Sequence, residues 1–442
     1  MLLKIITLIL IICICSISTS FSYIMIDNTF GKNDYTLRIK YSGFEKRGKI
    51  KCVDVFFSSY ILDSGFGYKN SLFFPVGFDK NDNMIIPNAG ADSISFFRID
   101  SNGNVNQSVV NIDNSAVHQI SYPYFVGSYQ NSEGYGILLG KLRNVGANFE
   151  LDFYKKIDIS KYIENYYYTT IVGFRKLFDS FFIVGNTVMR GKNDIDILLL
   201  KLGFNGDLYK SYNDKGFLRL DNLAGGMEND GVFSFQTDKD GNMYFVGFSK
   251  SGNHCKDMLL VKLDNSGYLD KSFGNNGIVL INNVAGGNGV DLLSDIKIKN
   301  DYLIVGGISY DKNSIGRPVI MKMYKGKLDY SFGDYGIKII PCVNHGQVLK
   351  VCIDEMGYIY SCVFNFSSSN PEYELDKPLK VVQMDQNGRI IDEVEMFFDE
   401  PTVLLSMLIK GKKLYIPVIQ SNSSGYSLKV FRFYIGDKNV DH

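Results

Sequence analysis

Residues 231–281 read GVFSFQT-DKDGN-MYFVGFS-KSGNHCKD-MLLVKL-DNSG-YLDKSFGNNGIVLI, four short apolar runs divided by three polar connections. Asp and Asn bond their own backbone two residues on, and Gly accepts the positive φ of a tight hairpin, so DKDG and DNSG are turns with a mechanism. The same chemistry recurs at Asp100–Gly103, Asp354–Gly357 and Asp385–Gly388. The runs are continuously apolar, not alternating, as in sheets covered on both faces. One such unit is therefore a four-stranded antiparallel sheet that needs a neighbour on each side.

Working outward, a unit of roughly 55–60 residues repeats through the chain. Its second strand recurs as IIPNA from Ile85, YFVGS from Tyr124, FIVGN from Phe182, YFVGF from Tyr244, LIVGG from Leu303, YIYSC from Tyr358 and LYIPV from Leu414. Third strands follow in step, among them ILLLKLG, MLLVKLD and LKVFRFY. Seven units predict an all-β, seven-bladed β-propeller of four-stranded antiparallel blades, with boundaries near residues 107, 160, 220, 282, 342 and 396. The pattern Leu-Asp-x-Ser-Phe-Gly-x-x-Gly closes the units at Leu269–Gly277 and Leu328–Gly336, and in degraded form at Asp207–Gly216. Another copy, Ile26-Asp27-Asn28-Thr29-Phe30-Gly31, stands near the start, whereas the last unit stops after its third strand at Tyr434. Residues 24–32 are thus predicted to supply the outer strand of the last blade and close the ring, which removes an exposed edge.

Asp-x-Asp-Gly, then Ile/Phe-Val-Gly, then Leu-Asp-x-Ser-Phe-Gly-x-x-Gly resemble the delta-60 β-propeller repeats of bacterial exported proteins, most closely over residues 207–340. The resemblance implies a propeller in a cell-envelope or secreted setting and brings no catalytic residues. The chain has no Trp, which excludes the recognisable WD40, kelch, YWTD, Asp-box and quinoprotein blade signatures.

The N-terminus agrees with export. One Lys precedes an apolar run from Ile5 to Ile17, followed by small residues up to Ser22, so residues 1–22 read as a signal peptide and 23–442 as one propeller domain. The run is shorter than the ~20 residues of a spanning helix, and no transmembrane span is expected after cleavage. Lys+Arg and Asp+Glu are both 47, a balance that gives no field to attract nucleic acid or an anionic membrane. Beyond residue 22 lie Cys52, Cys255, Cys342, Cys352 and Cys362, an odd number. If DEMG pairs Ile353 with Tyr358, Cys352 faces Ile359 and Cys362 faces Leu349, about 10 Å apart along the ladder and too far to bridge. All five are expected as thiols.

Chemistry-bearing motifs are sparse. His118, His254, His345 and His442 fall in separate units without a second ligand at metal-binding spacing, and His254 and Cys255 are adjacent, so on extended backbone they point apart. The Asp238–Asn242 segment lacks the distal bidentate Glu of a calcium loop. Ala224–Gly226 and Ala285–Gly289 are Gly-rich connections without the strand-to-helix setting and Lys of a phosphate loop. No catalytic residue, metal site or cofactor is predicted. Glu228, Asp230 and Asp291, in connections between blades, are the candidates should carboxylates meet at the axis.

The expectation is a monomeric, exported, non-catalytic scaffold, in the periplasm, on the cell surface or secreted. It would bind a protein or glycan through the loop face, where KSGNHCKD, SYDKNSIGRP and SSSNPEYELDKP vary most. The alternative is an envelope hydrolase or lyase using axial carboxylates.

Overall fold

The computed structural model describes residues 22–26, 30–31, 33–41, 44–57, 76–89, 93–113, 115–131, 134–191, 194–225, 229–251, 255–342, 345–366, 378–400, 402–422 and 425–437. The leader read at residues 1–22 lies outside them except for Ser22, which opens a strand. The described residues form an all-β, seven-bladed propeller, and Ile159–Lys161 is a single 3-10 turn.

Blade 4 follows the sequence pattern closely: Asp230–Thr237 is innermost, then Met243–Ser251, Cys255–Leu263 and Ile278–Ile281, all antiparallel. Blades 1, 2 and 3 are the four-stranded sheets spanning 77–110, 115–157 and 166–220. Blade 5 splits its outer position between Lys327–Leu328 and Ile337–Ile339. Blade 6 runs from His345–Ile353 out to Ile390–Phe397, and blade 7 from Thr402–Leu404 and Leu408–Lys410 out to Gly425–Asp437. Five of the expected boundaries fall in the connections or within two residues of a strand end. The first needs correction, because residue 107 lies inside Val105–Val110, whose last residues still pair with Ile94 and Ser95.

The turns form as their chemistry requires. Asp238 Oδ1 accepts the N–H groups of Asp240 (3.0 Å) and Asn242 (2.9 Å), and its Oδ2 accepts from Asn242 Nδ2 (2.8 Å). Both carboxylate oxygens are thereby used in hairpin bonds. At Asp354 the same geometry corrects the expected register. The Tyr358 N–H is drawn into the turn by Asp354 Oδ1 (2.9 Å), so Ile353 pairs with Ile359 and Cys352 with Tyr360, one residue on. The same one-residue shift sets Cys362 opposite Lys350 instead of Leu349, and an irregularity beyond it sets Val348 opposite Val363. Cys352 and Cys362 remain separate buried thiols, and burial pushes Cys352 up to about 11. Cys52 is buried and Cys342 half-buried, while the Cys255 side chain lies outside the described residues.

The cores lie between blades. Phe182, Val184 and Leu199 of blade 3 pack with Val232, Phe245 and Leu259 of blade 4, and similar clusters fill the other interfaces. The Phe of the Leu-Asp-x-Ser-Phe-Gly segment is the plug between neighbours. Phe273 and Phe332 are buried in the blade 4/5 and 5/6 interfaces, and Tyr212 takes that place between blades 3 and 4. Each ring lies under the next blade's third-to-fourth turn. An added Cβ at Gly267 would stand 2.7 Å from the Tyr212 ring, and one at Gly388 would stand 3.0 Å from Phe332. These turn glycines are required by contact as well as by φ. The residue after the plug donates its N–H across the gap: Asn213 to Ser266 O (2.8 Å) and Gly333 to Asn387 O (2.8 Å).

Phe30 repeats this arrangement at the seam. It is buried with Met84, Ile86 and Ile99 of blade 1 and Tyr415, Leu428 and Val430 of blade 7, and Gly31 N–H donates to Asn102 O (3.2 Å). The ring is therefore closed, by a device richer than the single strand expected. Ser22–Ile26 pairs with one end of Gly425–Asp437 (Ile24 opposite Ile435), and Phe44–Phe57 pairs with the other end (Val53 opposite Val430). Among the described residues the pairing runs from Ser22 to Ile26, and residues 27–29 and 32 of the expected 24–32 segment lie outside the described part. Asn33–Tyr41 turns back as a hairpin partner of Phe44–Phe57 and adds a fifth strand to blade 6, with Ile39 opposite Met396. Blades 6 and 7 thereby share one continuous sheet.

Candidate axial ligand site

The site begins with a backbone irregularity. The inner strands of blades 2 to 6 each shift register against the second strand, at Val117/Gln119, Ile171/Gly173, Val232/Ser234, Leu293/Asp295 and Val348/Lys350. A bulge bends its strand and re-aims the side chains beyond it. In blades 2, 4 and 5 the residue facing the bulge is Gly127, Gly247 or Gly307, where an added Cβ would stand under 2 Å from a carbonyl oxygen of the inner strand.

Past the bulge, alternate residues turn to the axis. The first tier is Gln119, Gly173, Ser234, Asp295 and Lys350, joined by Ser406 of blade 7; the second, two residues on, is Ser121, Arg175, Gln236, Lys297, Cys352 and Leu408. Together they line a central cavity of about 400 Å³, to which blade 1 contributes Val76. Of the intervening residues, Ile296 and Val351 are core side chains of the blade interfaces, and Phe235 belongs to such a core while also bordering the cavity. The second tier sits near the first-to-second turns, Arg175 being two residues before the Leu177–Ser180 hairpin closure. The cavity is therefore displaced toward the turn face, away from the loop face.

Among the described lining residues there are three cations, Arg175, Lys297 and Lys350, and one carboxylate, Asp295. Asp295 is buried and fully engaged. Ser234 Oγ donates to its Oδ1 (2.6 Å), and Lys297 Nζ (2.9 Å) and Val351 N–H (3.0 Å) donate to its Oδ2. Burial alone would push this carboxyl up, but Lys297, Lys350 and these hydrogen bonds outweigh it and hold it below the usual carboxylate range. Lys350 has no hydrogen bond or ion pair with a described residue, and burial lowers its ammonium against the opposing pull of Asp295. Polar groups also tie blade to blade, with Gln119 Nε2 donating to Val172 O (3.2 Å) and the Arg175 guanidinium to Gln236 Oε1. Gln119 and Gln236 both border the cavity.

The carboxylates singled out from sequence stand elsewhere. Asp230 opens the inner strand of blade 4 at its loop-face end, and Asp291 holds the matching position in blade 5, opposite Ser309 as Asp230 is opposite Ser249. Asp230 accepts from Ser249 Oγ and from Leu223 N–H (3.0 Å), and Asp291 accepts from Asn283 N–H (2.8 Å). Burial raises both carboxyls against these bonds. Each thus clamps the incoming connection, and neither lines the axial cavity. Glu228 lies outside the described residues.

No family model matches the chain. No curated protein matches it either. Among solved structures it is similar to the luciferin-regenerating enzyme at 12% identity and TM-score 0.38, over 84% of this chain and 94% of that one. It is similar to the polysaccharide lyase Uly1 at 10% identity and TM-score 0.46, over 86% and 92%. Extracellular domains 1–2 of Drosophila Semaphorin 1b give 10% identity and TM-score 0.42, over 82% and 85%. Similarity of this degree carries no activity from one chain to another.

A second charged cluster lies where the third strand of blade 3 begins and the fourth ends, and there Asp194, Asp196 and Asp221 bring ligand atoms within 4.8 Å of one another. Arg219 occupies the middle, donating to Asp196 Oδ2 (2.7 Å) and Asp221 Oδ2 (2.9 Å), so a cation could enter only by displacing the guanidinium. Burial nonetheless raises Asp196 to about 6. Of the loop-face segments expected to bind a partner, residues 312–315 are described as a tight turn on Asp311, while 252–254 and 367–377 lie outside the described residues.

Proposed function

We propose that this chain is a non-catalytic binding scaffold, exported from the cell, that holds a small molecule or the end of a larger one in its axial cavity. The observation that carries the reading is the convergence of two largely polar tiers from blades 2 to 7 on one cavity of about 400 Å³, in which cations outnumber carboxylates three to one among the described lining residues. A volume of that size falls in the range of small-molecule sites, and rigid strands are better than loops at fixing a constellation. Export rests on the leader pattern at residues 1–22 and on the resemblance of the repeats to delta-60 propellers.

The rival reading, a hydrolase or lyase, needs two carboxylates, or a base beside a nucleophile. Asp295 is the one carboxylate among the described lining residues, and its oxygens are occupied by Ser234, Lys297 and Val351. That engagement favours a structural and electrostatic role over proton transfer. The test is to incubate the purified protein with envelope or culture extract, isolate it by gel filtration and identify released compounds by mass spectrometry. We expect a compound recovered unaltered from the wild-type protein and absent from Ser406→Trp, which fills the cavity. Recovery of cleavage products would favour the enzyme, and equal retention by Ser406→Trp would remove the site from the axis.

A further inference from the structure

We infer that the axial cavity selects a hydroxylated carboxylate, of the kind a uronic-acid ring presents, free or at the end of a chain. This rests on the axial binding reading above and narrows it to a chemical class. Three features of the lining bear on it: net charge, the placement of the cations, and the neutral groups around them.

The three cations against one carboxylate leave an excess of positive charge in a space walled by protein, where a charge is felt more strongly than in water. Asp295 already absorbs Lys297 at 2.9 Å, whereas Lys350 has no such partner among the described residues. Lys350 is half-buried and shares Asp295 with Lys297 only at a distance, so an anionic guest would add a counter-charge in direct contact. Lys297 and Lys350 come from the adjacent blades 5 and 6 and Arg175 from blade 3, so the cations stand on either side of the neutral blade 4. An anion seated there would be held from several sides.

The neutral groups separate a hydroxylated anion from a bare one. Gln119, Ser121, Gln236 and Ser406 occupy the same two tiers as the cations and present amide and hydroxyl groups to the cavity. A phosphate or acetate could accept from the cations, the amide N–H groups and the hydroxyls, but would offer few or no hydroxyl donors to the acceptor oxygens of the lining. A sugar acid would set its carboxylate on Lys350 and its ring hydroxyls against the amides and hydroxyls, which donate and accept in turn. A purely apolar guest would leave these groups unpaired.

Calorimetric titration of the purified protein with glucuronate, trigalacturonate, glucose and inorganic phosphate tests this. We expect glucuronate or trigalacturonate to bind, glucose to bind at least about tenfold more weakly because it lacks the charge, and phosphate to compete poorly. The two acidic probes separate a free ring from a chain end. Lys350→Met should weaken binding about tenfold or more, and Lys350→Arg, which keeps the charge beside Asp295, should retain both binding and melting temperature. Glucose or phosphate binding as tightly as glucuronate, no binding by either acid, or unchanged affinity in Lys350→Met would each overturn the assignment of ligand class. If Ser406→Trp still bound the acids undiminished, the axial site itself would be wrong.

Discussion

Gly247 shows how much one missing side chain does in this molecule. A Cβ there would meet Gly231 O at 1.9 Å and Val232 Cα at 2.8 Å, because the inner-strand bulge presses its backbone against the second strand. The Val-Gly of the second strand is visible in the sequence as a marker that counts blades. Its reason is hidden there, since a bulge leaves no periodicity of its own. The same blind spot concealed the site. Arg175, Lys297 and Lys350 sit in strands with apolar neighbours, and only the re-aiming past each bulge turns them to the axis. Asp230 and Asp291 were legible as carboxylates beside glycines, but their partners are backbone N–H groups of the preceding connection. We expect Gly247→Ala to lower unfolding stability by about 2–4 kcal/mol, measured by urea denaturation, because the bulge cannot retreat without reopening the blade interface. A loss below about 0.5 kcal/mol would show that the inner strand relaxes freely.

At the level of elements, the plug segments join neighbouring blades more specifically than strand pairing could. Phe30, Tyr212, Phe273 and Phe332 each fill an interface, and a cation from the third strand covers three of them: Arg432 stands 4.3 Å from the Phe30 ring, Lys201 5.4 Å from Tyr212 and Lys262 5.9 Å from Phe273. The repeat of Leu-Asp-x-Ser-Phe-Gly was readable because it needs a fixed turn and a fixed ring. Asp270 Oδ1 accepts from Ser272 N–H (2.9 Å), and Lys262 pairs with Asp270 at 2.6 Å. The sixth unit follows the pattern less closely: YIYSC does enter the second strand of its blade, but Tyr360, paired with Gln383, is the counterpart of Tyr244, paired with Lys262, so the segment begins two residues ahead of YFVGF. The blade lacks the Val-Gly landmark and carries Val363 at the bulge instead. If the plugs are equivalent, Phe30→Ala and Phe273→Ala should each cost about 3–5 kcal/mol in the same denaturation assay. A Phe30→Ala loss under about 1 kcal/mol, beside a full loss at Phe273, would mean that the seam is held by its strands alone.

For the molecule as a whole, closure depends on remote segments meeting. The seven-fold count, the four-strand blade and the N-terminal contribution to blade 7 could all be read from repeat units left incomplete at one end and spare at the other. The hairpin of Asn33–Tyr41 and Phe44–Phe57 could not, because it matches no blade motif and its placement depends on edges created only once the ring exists. Deleting residues 22–31 removes the partner of Ile435 and the plug Phe30 together, and uncovers one end of the Gly425–Asp437 strand. The truncated protein should melt at lower temperature and aggregate through that edge, as light scattering during a thermal ramp would report. A truncated form that melts like the parent and stays monomeric would contradict this account of the seam.

The direction of that seam has a mechanical consequence. Ser22 lies opposite Asp437, so the first pair of the ladder sits at its outermost end and the two strands run antiparallel from there. A pull applied between residues 22 and 437 would load one pair at a time and peel the joint like a zipper. The hairpin of Asn33–Tyr41 and Phe44–Phe57, paired with Ile390–Phe397 and Gly425–Asp437, lies outside that ladder and takes the load only after it has opened. Tension on the ends would therefore part the outer lip of blade 7 first, while the hairpin bridging blades 6 and 7 kept the circle from springing open.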